Sequence, residues 1–262
     1  TSWIKETVDS SASIGDFTSI DLDSSNRPAI AYYDDTNDVL KYAKFDGSKW
    51  NIETDKSSRA AWYPSLELDT NDRPHISYYD VTDQDLSYIY FDGSAWQKET
   101  VDTTGDVGWY TSLVLDKDNN PHLSYLDNTN FYLKYATKSG SSWTVTTVDK
   151  TSFGGYFTSI DMDPTGRVHI SYHGASNTEL KYAWLNRAPV LSPIGDKSIA
   201  EGKTLSFTIS ATDEDGDPLI FSVTHLPSGA EFNSDTATFS WTPGLDQAGV
   251  YPEIIFEVSD GF

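Results

Sequence analysis

The stretch that decides the fold is residues 50–95, WNIETDKSSRAAWYPSLELDTNDRPHISYYDVTDQDLSYIYFDGSA. The tryptophan that opens it recurs as Trp3, Trp50, Trp96 and Trp143, at spacings of 47, 46 and 47 residues. Two further runs follow the same plan in every copy. They read TSIDLD, PSLELD, TSLVLD and TSIDMD, then RPAIAYYD, RPHISYYD, NPHLSYLD and RVHISYHG. Because a fixed period of this length is typical of repeat architectures, we expect residues 3–185 to form four copies of one unit.

Each copy contains four runs of five to seven residues in which apolar and polar side chains alternate. Such alternation, with β-branched and aromatic enrichment, predicts strands. Turn-forming pairs such as Asn71-Asp72, Asp46-Gly47 and Asp92-Gly93 separate the runs. Four short antiparallel strands in each repeat predict the blade of a β-propeller, in a domain spanning residues 1–186. A β-solenoid or an array of small sheets is the alternative, but its isolated units would be marginally stable.

The two ends of the repeat region complement each other. The fourth copy runs into residues 186–189, NRAP, where its fourth strand should begin, whereas the segment from Trp3 to Val8 is a fourth strand without a blade. Donation of this N-terminal strand to the last blade would close a four-bladed ring and remove an exposed sheet edge. The alternative is a larger propeller with further blades upstream.

The FDGSKW and FDGSAW turns, at residues 45–50 and 91–96, resemble the Asp-box (BNR-type) hairpins of sialidase-like propellers. The box usually carries Ser or Thr where Phe45 and Phe91 stand. The resemblance implies a propeller fold, with Asp46 and Asp92 capping their own turns.

Residues 187–262 no longer follow the repeat. The motifs of this region are Ala200-Glu201-Gly202, TDEDGDP at 212–218, FSWTP at 239–243 and VSDG at 258–261. Together they resemble a dystroglycan-type cadherin-like domain, an Ig-type β-sandwich. Such domains have a final strand after SDG, which residues 187–262 do not contain. The resemblance therefore implies that either further residues of the protein supply this strand, or a neighbouring chain adds it at an unpaired sheet edge.

The run DEDGD places acids at alternate positions, which is the pattern of hard oxygen ligands that Ca²⁺ selects. We predict a calcium site formed by Asp213, Asp215 and Asp217, with Glu201 reaching the same end of the sandwich. The alternative is a solvated acidic turn. An EF-hand is excluded, because the glycine is misplaced and no bidentate glutamate follows at the required distance.

The amino-acid composition limits which partners the protein is expected to bind and where it is expected to act. The chain has 40 acidic against 18 basic residues, a net charge of −22, which argues against nucleic acid and against anionic lipid surfaces. Cysteine is absent, and no run of 18 apolar residues exists, so we expect no disulfides and no membrane insertion. The sequence opens on a strand-like segment, as a trimmed mature protein would. We therefore expect a secreted or cell-surface protein, with a prokaryotic source.

Catalytic patterns are weakly represented. His75, His122 and His169 occupy one repeat position, and a residue repeated by pseudosymmetry is more often structural than catalytic. A sialidase needs three convergent arginines, but only Arg59 and Arg187 lie off the repeat. No nucleophile elbow, zinc-protease helix or phosphate-binding glycine loop is found. We predict a protein that is not an enzyme, with a glycan-active hydrolase as an alternative because aspartates are abundant.

Four aromatic-rich pairs lie in the loops between blades: Asp16-Phe17, Trp62-Tyr63, Trp109-Tyr110 and Tyr156-Phe157. The second member recurs in every copy and is expected to pack between blades, whereas the first varies. Adjacent residues on a strand point opposite ways, so the first can be exposed.

These pairs suggest a sugar site, because aromatic faces beside carboxylates suit sugar rings. We predict stacking by Trp62, Trp109 and Tyr156, with Asp34, Asp80 and Asp127 as polar partners. The alternative is that all these aromatics belong to the core between blades. The favoured function is a non-catalytic extracellular module for glycan binding or adhesion, with a glycan or cell-surface partner. The alternative is a structural subunit of a surface layer or filament.

Overall fold

A computed structural model describes residues 1–11, 13–55, 61–151, 153–174 and 178–262. Within these ranges the protein is all-β, with 22 strands and no helix long and apolar enough to cross a membrane. The chain divides into two compact units, Thr1–Trp184 and Leu185–Phe262. We call them the repeat unit and the sandwich unit.

The repeat unit contains four successive antiparallel sheets, the blades, in each of which neighbouring strands are hydrogen-bonded in chain order. Blade 1 consists of β1 (Ile14–Leu22), β2 (Pro28–Asp34), β3 (Val39–Phe45) and β4 (Trp50–Asp55). Blade 2 consists of β5 (Ala61–Leu68), β6 (Pro74–Asp80), β7 (Asp85–Phe91) and β8 (Trp96–Asp102). Blade 3 consists of β9 (Val107–Leu115), β10 (Pro121–Asp127), β11 (Tyr132–Ser139) and β12 (Ser142–Asp149). Blade 4 consists of β13 (Tyr156–Met162), β14 (Val168–Gly174) and β15 (Glu179–Trp184).

Aspartate side chains shape the turns. Asp23 accepts hydrogen bonds from the backbone N–H groups of Ser25 and Arg27, and the Arg27 guanidinium also donates to the same carboxylate. Asp46 likewise caps the FDGS turn, accepting from the backbone N–H of Ser48 at 2.8 Å. Equivalent aspartates repeat these bonds in the later blades, which explains the turn chemistry that the sequence predicted.

Three apolar clusters form the core, one at each junction between consecutive blades. In the first, Leu40 and Tyr42 of β3 pack against Leu66 of β5 and Ile76 and Tyr78 of β6. The other two clusters repeat this arrangement one blade further along. Blades 1, 2 and 3 therefore each bury one face of their third strand under the next blade.

A β-bulge interrupts the first strand of each blade at the same aromatic residue. Phe17, Tyr63, Tyr110 and Phe157 all adopt positive φ, between 48° and 54°. The pairing register with the second strand shifts at each of these points. A bulge of this kind changes the direction of the side chain, so the four aromatic rings project in the same way from the first strand of each blade.

The segment from Trp3 to Val8 carries no strand in this structure, contrary to the sequence prediction. Its residues Trp3 and Ile4 are almost fully exposed. Among the described residues, β15 pairs with β14 alone. Side-chain bonds hold the segment beside blade 1, where Glu6 accepts from Trp50 Nε1 at 3.1 Å and Asp9 accepts from the Tyr32 hydroxyl at 2.8 Å. Closure of the four-bladed ring stays a prediction.

The sandwich unit contains three small sheets, with strand orders β16-β18, β17-β21-β20 and β19-β22. Their strands are β16 (Val190–Leu191), β17 (Leu205–Thr208), β18 (Ala211–Thr212), β19 (Ile220–Thr224), β20 (Ala230–Asn233), β21 (Thr238–Trp241) and β22 (Ile255–Ser259). Its core is aromatic: the Phe239 ring stacks on Phe207 at 5.1 Å and meets Phe256 edge-on at 5.9 Å.

Candidate functional site

The bulged aromatics form a continuous row along the first strands of the four blades. The ring centroids of Phe17 and Tyr63, of Tyr63 and Tyr110, and of Tyr110 and Phe157 are each 4.5 Å apart. Burial raises the pKa of the Tyr63 hydroxyl well above its ordinary value, so this ring remains neutral. Tyr63 and Tyr110 therefore pack between neighbouring blades, as the sequence predicted, whereas Phe17 and Phe157 at the two ends of the row are exposed.

The first members Trp62 and Trp109 meet each other beside this row. Their indole rings are 6.2 Å apart and nearly perpendicular, and both are partly buried. Trp109 also packs on the buried ring of Tyr79, at a centroid distance of 5.1 Å. Tyr156 instead lies beside Tyr110, Phe131 and His173. The structure thus brings two of the three predicted stacking residues together.

Asp106 is the polar centre of this region, and the sequence analysis missed it. Its Oδ1 accepts hydrogen bonds from the Tyr79 hydroxyl and from Trp109 Nε1, both at 2.7 Å. Its Oδ2 accepts from Asn128 Nδ2 at 2.6 Å. A carboxylate offers about four acceptor sites, and these three bonds leave room for another donor. The available signal was the spacing of Asp106 three residues before Trp109 in the loop that enters blade 3.

Burial and the hydrogen bond to Asp106 raise the pKa of Tyr79. Its hydroxyl therefore stays protonated and donates a hydrogen bond to the carboxylate. The equivalent Tyr33 of blade 1 has a pKa raised to about 12 by burial and by its hydrogen bond to Asp38. The two tyrosine hydroxyls therefore have different hydrogen-bond acceptors. Tyr33 donates within its own blade, whereas Tyr79 donates to the loop that enters the next blade.

Asp34, Asp80 and Asp127 close the second strand of blades 1, 2 and 3, and each caps the turn that follows. All three are buried at the ends of β2, β6 and β10. Asp34 accepts from the backbone N–H and the side-chain amide of Asn37 and pairs with Lys41 Nζ at 2.8 Å. Asp80 and Asp127 accept comparable bonds within their own turns. Because these carboxylates are buried and already hydrogen-bonded, we do not carry them into the proposed site.

The three repeated histidines are joined to neighbouring tyrosines. His122 Nδ1 shares a hydrogen bond with the Tyr135 hydroxyl at 2.5 Å, and His169 Nδ1 shares one with Tyr182 at 2.6 Å. His75 contacts Tyr88 in the same way, and burial lowers its pKa to about 4. These bonds fit the structural role expected from their repetition. Arg59 lies outside the described residues.

A second group of acids lies on the first strands. Burial raises the pKa of Glu67 on β5 to about 7, and the charges of Asp21 on β1 and Asp161 on β13 add to the shift. Asp21 also binds the neighbouring strand, since its Oδ2 accepts from the backbone N–H of Leu68 at 2.8 Å. Glu67 is therefore a carboxyl group that exchanges its proton near neutral pH.

In the sandwich unit, Asp213, Asp215 and Asp217 each place one carboxylate oxygen within 4.8 Å of the others. Asp213 Oδ1 organises the turn by accepting from the backbone N–H groups of Asp215 and Asp217, while its buried Oδ2 has no hydrogen-bond partner. The positive charge of Arg187 disfavours a cation at Asp215, because its Nε already donates a hydrogen bond to Asp215 Oδ1 at 2.7 Å. The exposed Glu201 is not part of this group. The ligand chemistry fits Ca²⁺ at Asp213 and Asp217, with Asp215 shared with the arginine.

Residues 188–262 match a protein family described as "Putative Ig domain". This agrees with the sandwich sheets of the C-terminal unit. Comparison with curated proteins finds no match to the chain.

Several solved structures are similar to this chain. A fucose lectin from Kordia zhangzhouensis is 24% identical with a TM-score of 0.36, over 49% of this chain and 96% of the lectin chain. The K499G mutant of NanB sialidase from Streptococcus pneumoniae is 18% identical with a TM-score of 0.43, over 62% of this chain and 28% of the sialidase. An exo-β-1,3-galactanase from Phanerochaete chrysosporium is 11% identical with a TM-score of 0.44, over 81% and 57% of the two chains. The described part of the protein is all-β, with propeller-type repeats in its strand topology and an Ig-like C-terminal unit. The chain spans only part of the sialidase and galactanase chains.

The sandwich unit also contains an open groove of about 900 Å³. Aromatic core residues line it, namely Phe207, Phe239, Trp241 and Phe256. An extended apolar segment would fit such a groove. Strand addition from a neighbouring chain stays a prediction.

Proposed function

We propose that the repeat unit is a non-catalytic glycan-binding module that uses the surface formed by Trp62, Trp109, Asp106 and Asn128. We call this surface the indole site. Two partly buried indole rings lie beside a carboxylate that three donors hold in a fixed position. This arrangement is the observation that carries the proposal.

The chemistry of the indole site suits a sugar ring. A pyranose has an apolar C–H face that packs on an aromatic ring and an edge of hydroxyl groups that need hydrogen-bond partners. Asp106 retains acceptor capacity, and Asn128 supplies an amide next to it. Because the Tyr79 and Trp109 donors fix the carboxylate before any ligand arrives, little conformational entropy is lost on binding.

The test is a titration of the intact chain against a panel of monosaccharides and oligosaccharides, followed by tryptophan fluorescence and calorimetry. We expect Trp109→Ala and Asp106→Asn each to weaken binding about 10-fold, since each removes one stacking or hydrogen-bonding contact. The matched control is Trp3→Ala, because Trp3 is almost fully exposed in the same unit. A glycan array without hits, or equal losses in the control, would remove the proposal.

A glycan-active hydrolase is the second candidate function, and Glu67 is the observation that favours it. Glycosidases pair a protonated carboxylic acid with an ionised carboxylate. The pKa of Glu67 is about 7, and the charges of the nearby Asp21 and Asp161 contribute to this shift. Turnover of a polysaccharide that is lost in Glu67→Gln would establish hydrolysis. Binding without turnover, lost in Trp109→Ala and kept in Glu67→Gln, would establish the first candidate.

We further propose that the sandwich unit binds Ca²⁺ at Asp213 and its neighbours, and that the protein acts outside the cell. The buried, unpartnered Oδ2 of Asp213 supports the first proposal. The second proposal rests on the glycan-binding function proposed for the repeat unit and on the strongly acidic composition. Millimolar free Ca²⁺, which is the range in which extracellular modules bind it, would be available there.

A further inference from the structure

The Asp106 carboxylate has no basic partner in the described part of the chain. Its hydrogen bonds come from the Tyr79 hydroxyl, Trp109 Nε1 and Asn128 Nδ2, which are all uncharged donors. Such donors fix the orientation of the carboxylate but leave its negative charge uncompensated. Asp106 is partly exposed, so a ligand at the indole site would meet this charge.

Other aspartates at this end of the blades are paired with lysine. The pairs are Lys41 with Asp34, Lys98 with Asp80, and Lys134 with Asp102. In the first two pairs, the lysine Nζ lies 2.8 Å and 3.0 Å from the carboxylate oxygen. Asp102 precedes Asp106 in the loop that enters blade 3. Lysine thus compensates these neighbouring carboxylates, whereas the charge of Asp106 stays open to a ligand.

A second uncompensated carboxylate lies near the same rings. Asp38 is exposed, accepts a hydrogen bond from the Tyr33 hydroxyl and has no basic partner among the described residues. Tyr33 and Trp62 both pack against the Phe17 ring, at centroid distances of 6.5 and 5.9 Å. Burial, followed by Asp38, raises the pKa of Tyr33 to about 12. Acidic groups therefore lie near both indole rings, and their potential favours a positively charged ligand over a negatively charged one.

The chain contains a cluster in which a carboxylate, an indole and an ammonium group meet. Glu99 Oε2 accepts from Trp143 Nε1 at 2.8 Å, and Glu99 Oε1 accepts from Lys138 Nζ at 2.5 Å. The same Nζ lies 6.0 Å from the centroid of the Trp143 ring. An indole face attracts cations, so both the carboxylate and the ring stabilise the ammonium group. Asp106 and Trp109 form the same indole–carboxylate pair, with no ammonium group beside it in the described part of the chain.

Building on the glycan-binding function proposed above, we infer that the ligand of the indole site is a basic amino sugar. Its ammonium group donates to Asp106 and lies beside the Trp109 ring. Lys138 makes the same two kinds of contact within the chain. The apolar C–H face of the sugar packs on the indole surface, as it would for a neutral sugar. The inference rests on the proposed function, because it names the class of sugar that the same site binds.

This arrangement ranks sugars by their charge. A hydrogen bond from a charged donor to a carboxylate is roughly twice as strong as one between neutral groups. We therefore expect an amino sugar to bind about 10-fold more tightly than the neutral sugar of the same configuration. An acidic sugar should bind about 10-fold more weakly than the neutral one, because its carboxylate approaches Asp106. Added salt should reduce both differences by screening.

The first test is a calorimetric titration of the intact chain at about pH 6, where the amino group of the sugar is protonated. The ligands are the methyl glycosides of glucosamine, glucose and glucuronic acid, and those of galactosamine, galactose and galacturonic acid. Each amino sugar differs from its neutral counterpart only in the ammonium group that replaces one hydroxyl. The expected order of affinity is amino, neutral, acidic in at least one series, with smaller differences at high salt. Equal affinities within both series, binding of none of the six, or a preference for the acidic sugars overturns the inference.

The second test assigns the preference to Asp106. Asp106→Asn removes the charge at nearly constant size, so the amino sugar should lose its ~10-fold advantage over the neutral one. The matched control is Asp118→Asn, because the Asp118 side chain is 64% exposed in the turn at the opposite end of blade 3. The control should keep the advantage. If it loses the advantage as well, the amino sugar is attracted by the net charge of −22 and the inference is wrong.

Thermal unfolding establishes that Asp106→Asn is folded, and the salt series on the parent chain tests the same charge without a substitution. The two proposals fail in different ways. If neutral and amino sugars bind equally and Trp109→Ala weakens both, the inference is wrong and the glycan-binding function stands. If no sugar of the panel binds to the parent chain, both are wrong.

Discussion

Glu67 shows how one side chain can carry a pH dependence for the whole repeat unit. Burial, together with the charges of Asp21 and Asp161, raises its pKa from 4.5 to about 7. An acid whose pKa is raised by folding binds its proton more tightly in the folded state than in the unfolded state. Its contribution to stability is therefore complete below pH 4.5 and is lost as the pH rises through 7.

We expect Glu67→Gln to remove this loss. At pH 8 the variant should have a free energy of unfolding about 1–3 kcal/mol higher than the parent, and at pH 4 the two should agree. Urea unfolding at both pH values measures the difference. The exposed Glu179→Gln serves as the control, because Glu179 lies in the same unit. A difference that is constant with pH would contradict the assignment of the pKa to Glu67.

At the scale of the strands, the bulge sets the geometry of the indole site. It turns Tyr110 into the aromatic row and leaves the adjacent Trp109 beside Trp62 and Asp106. The strand also approaches the previous blade closely, because Gly108 lies against the backbone of Leu86 with a φ of 106°. Glycine is required there both for its backbone angle and for the lack of a Cβ atom.

We expect Gly108→Ala to destabilise the repeat unit by about 2–4 kcal/mol, because it combines backbone strain with a clash against the β7 backbone. Gly140→Ala is the control, since Gly140 also has positive φ but a Cβ atom there would meet nothing within 4 Å. The control should lose only about 1 kcal/mol. Equal losses measured by thermal unfolding would show that the close approach to Leu86 is unimportant.

At the scale of the whole molecule, the two compact units bury separate cores, so we expect calorimetry to resolve two unfolding transitions. Saturating Ca²⁺ should raise the transition of the sandwich unit alone. A ligand at 100 times its Kd adds about 2.7 kcal/mol to the stability of its unit, which corresponds to several degrees in Tm. Asp213→Asn should abolish the rise, whereas the exposed Asp235→Asn should keep it. A rise in the repeat-unit transition, or none at all, would contradict the calcium proposal.

The repeat, the strand positions and the all-β class follow from the sequence, because alternation with period two and Asp-Gly or Asn-Asp turns are local signals. The structural role of His75 and its equivalents followed from repetition, since chemistry is needed once whereas packing is needed in every blade. Asp34, Asp80 and Asp127 were assigned to a sugar site because carboxylates beside aromatic faces suit sugar rings. Their burial depends on the turn that each closes, and the sequence pattern does not specify which side of that turn the carboxylate faces.

Only the tertiary structure decided which residues meet between blades. Asp106 joins Tyr79, Trp109 and Asn128 from three separate segments, and no local pattern encodes that convergence. The positive φ of four aromatic residues likewise arises from the bulge, because aromatic side chains show no intrinsic preference for it. The sequence by itself thus determined the repeated blade and its turns, which depend on neighbouring residues. The structure decided the indole site, because it depends on how one blade packs on the next.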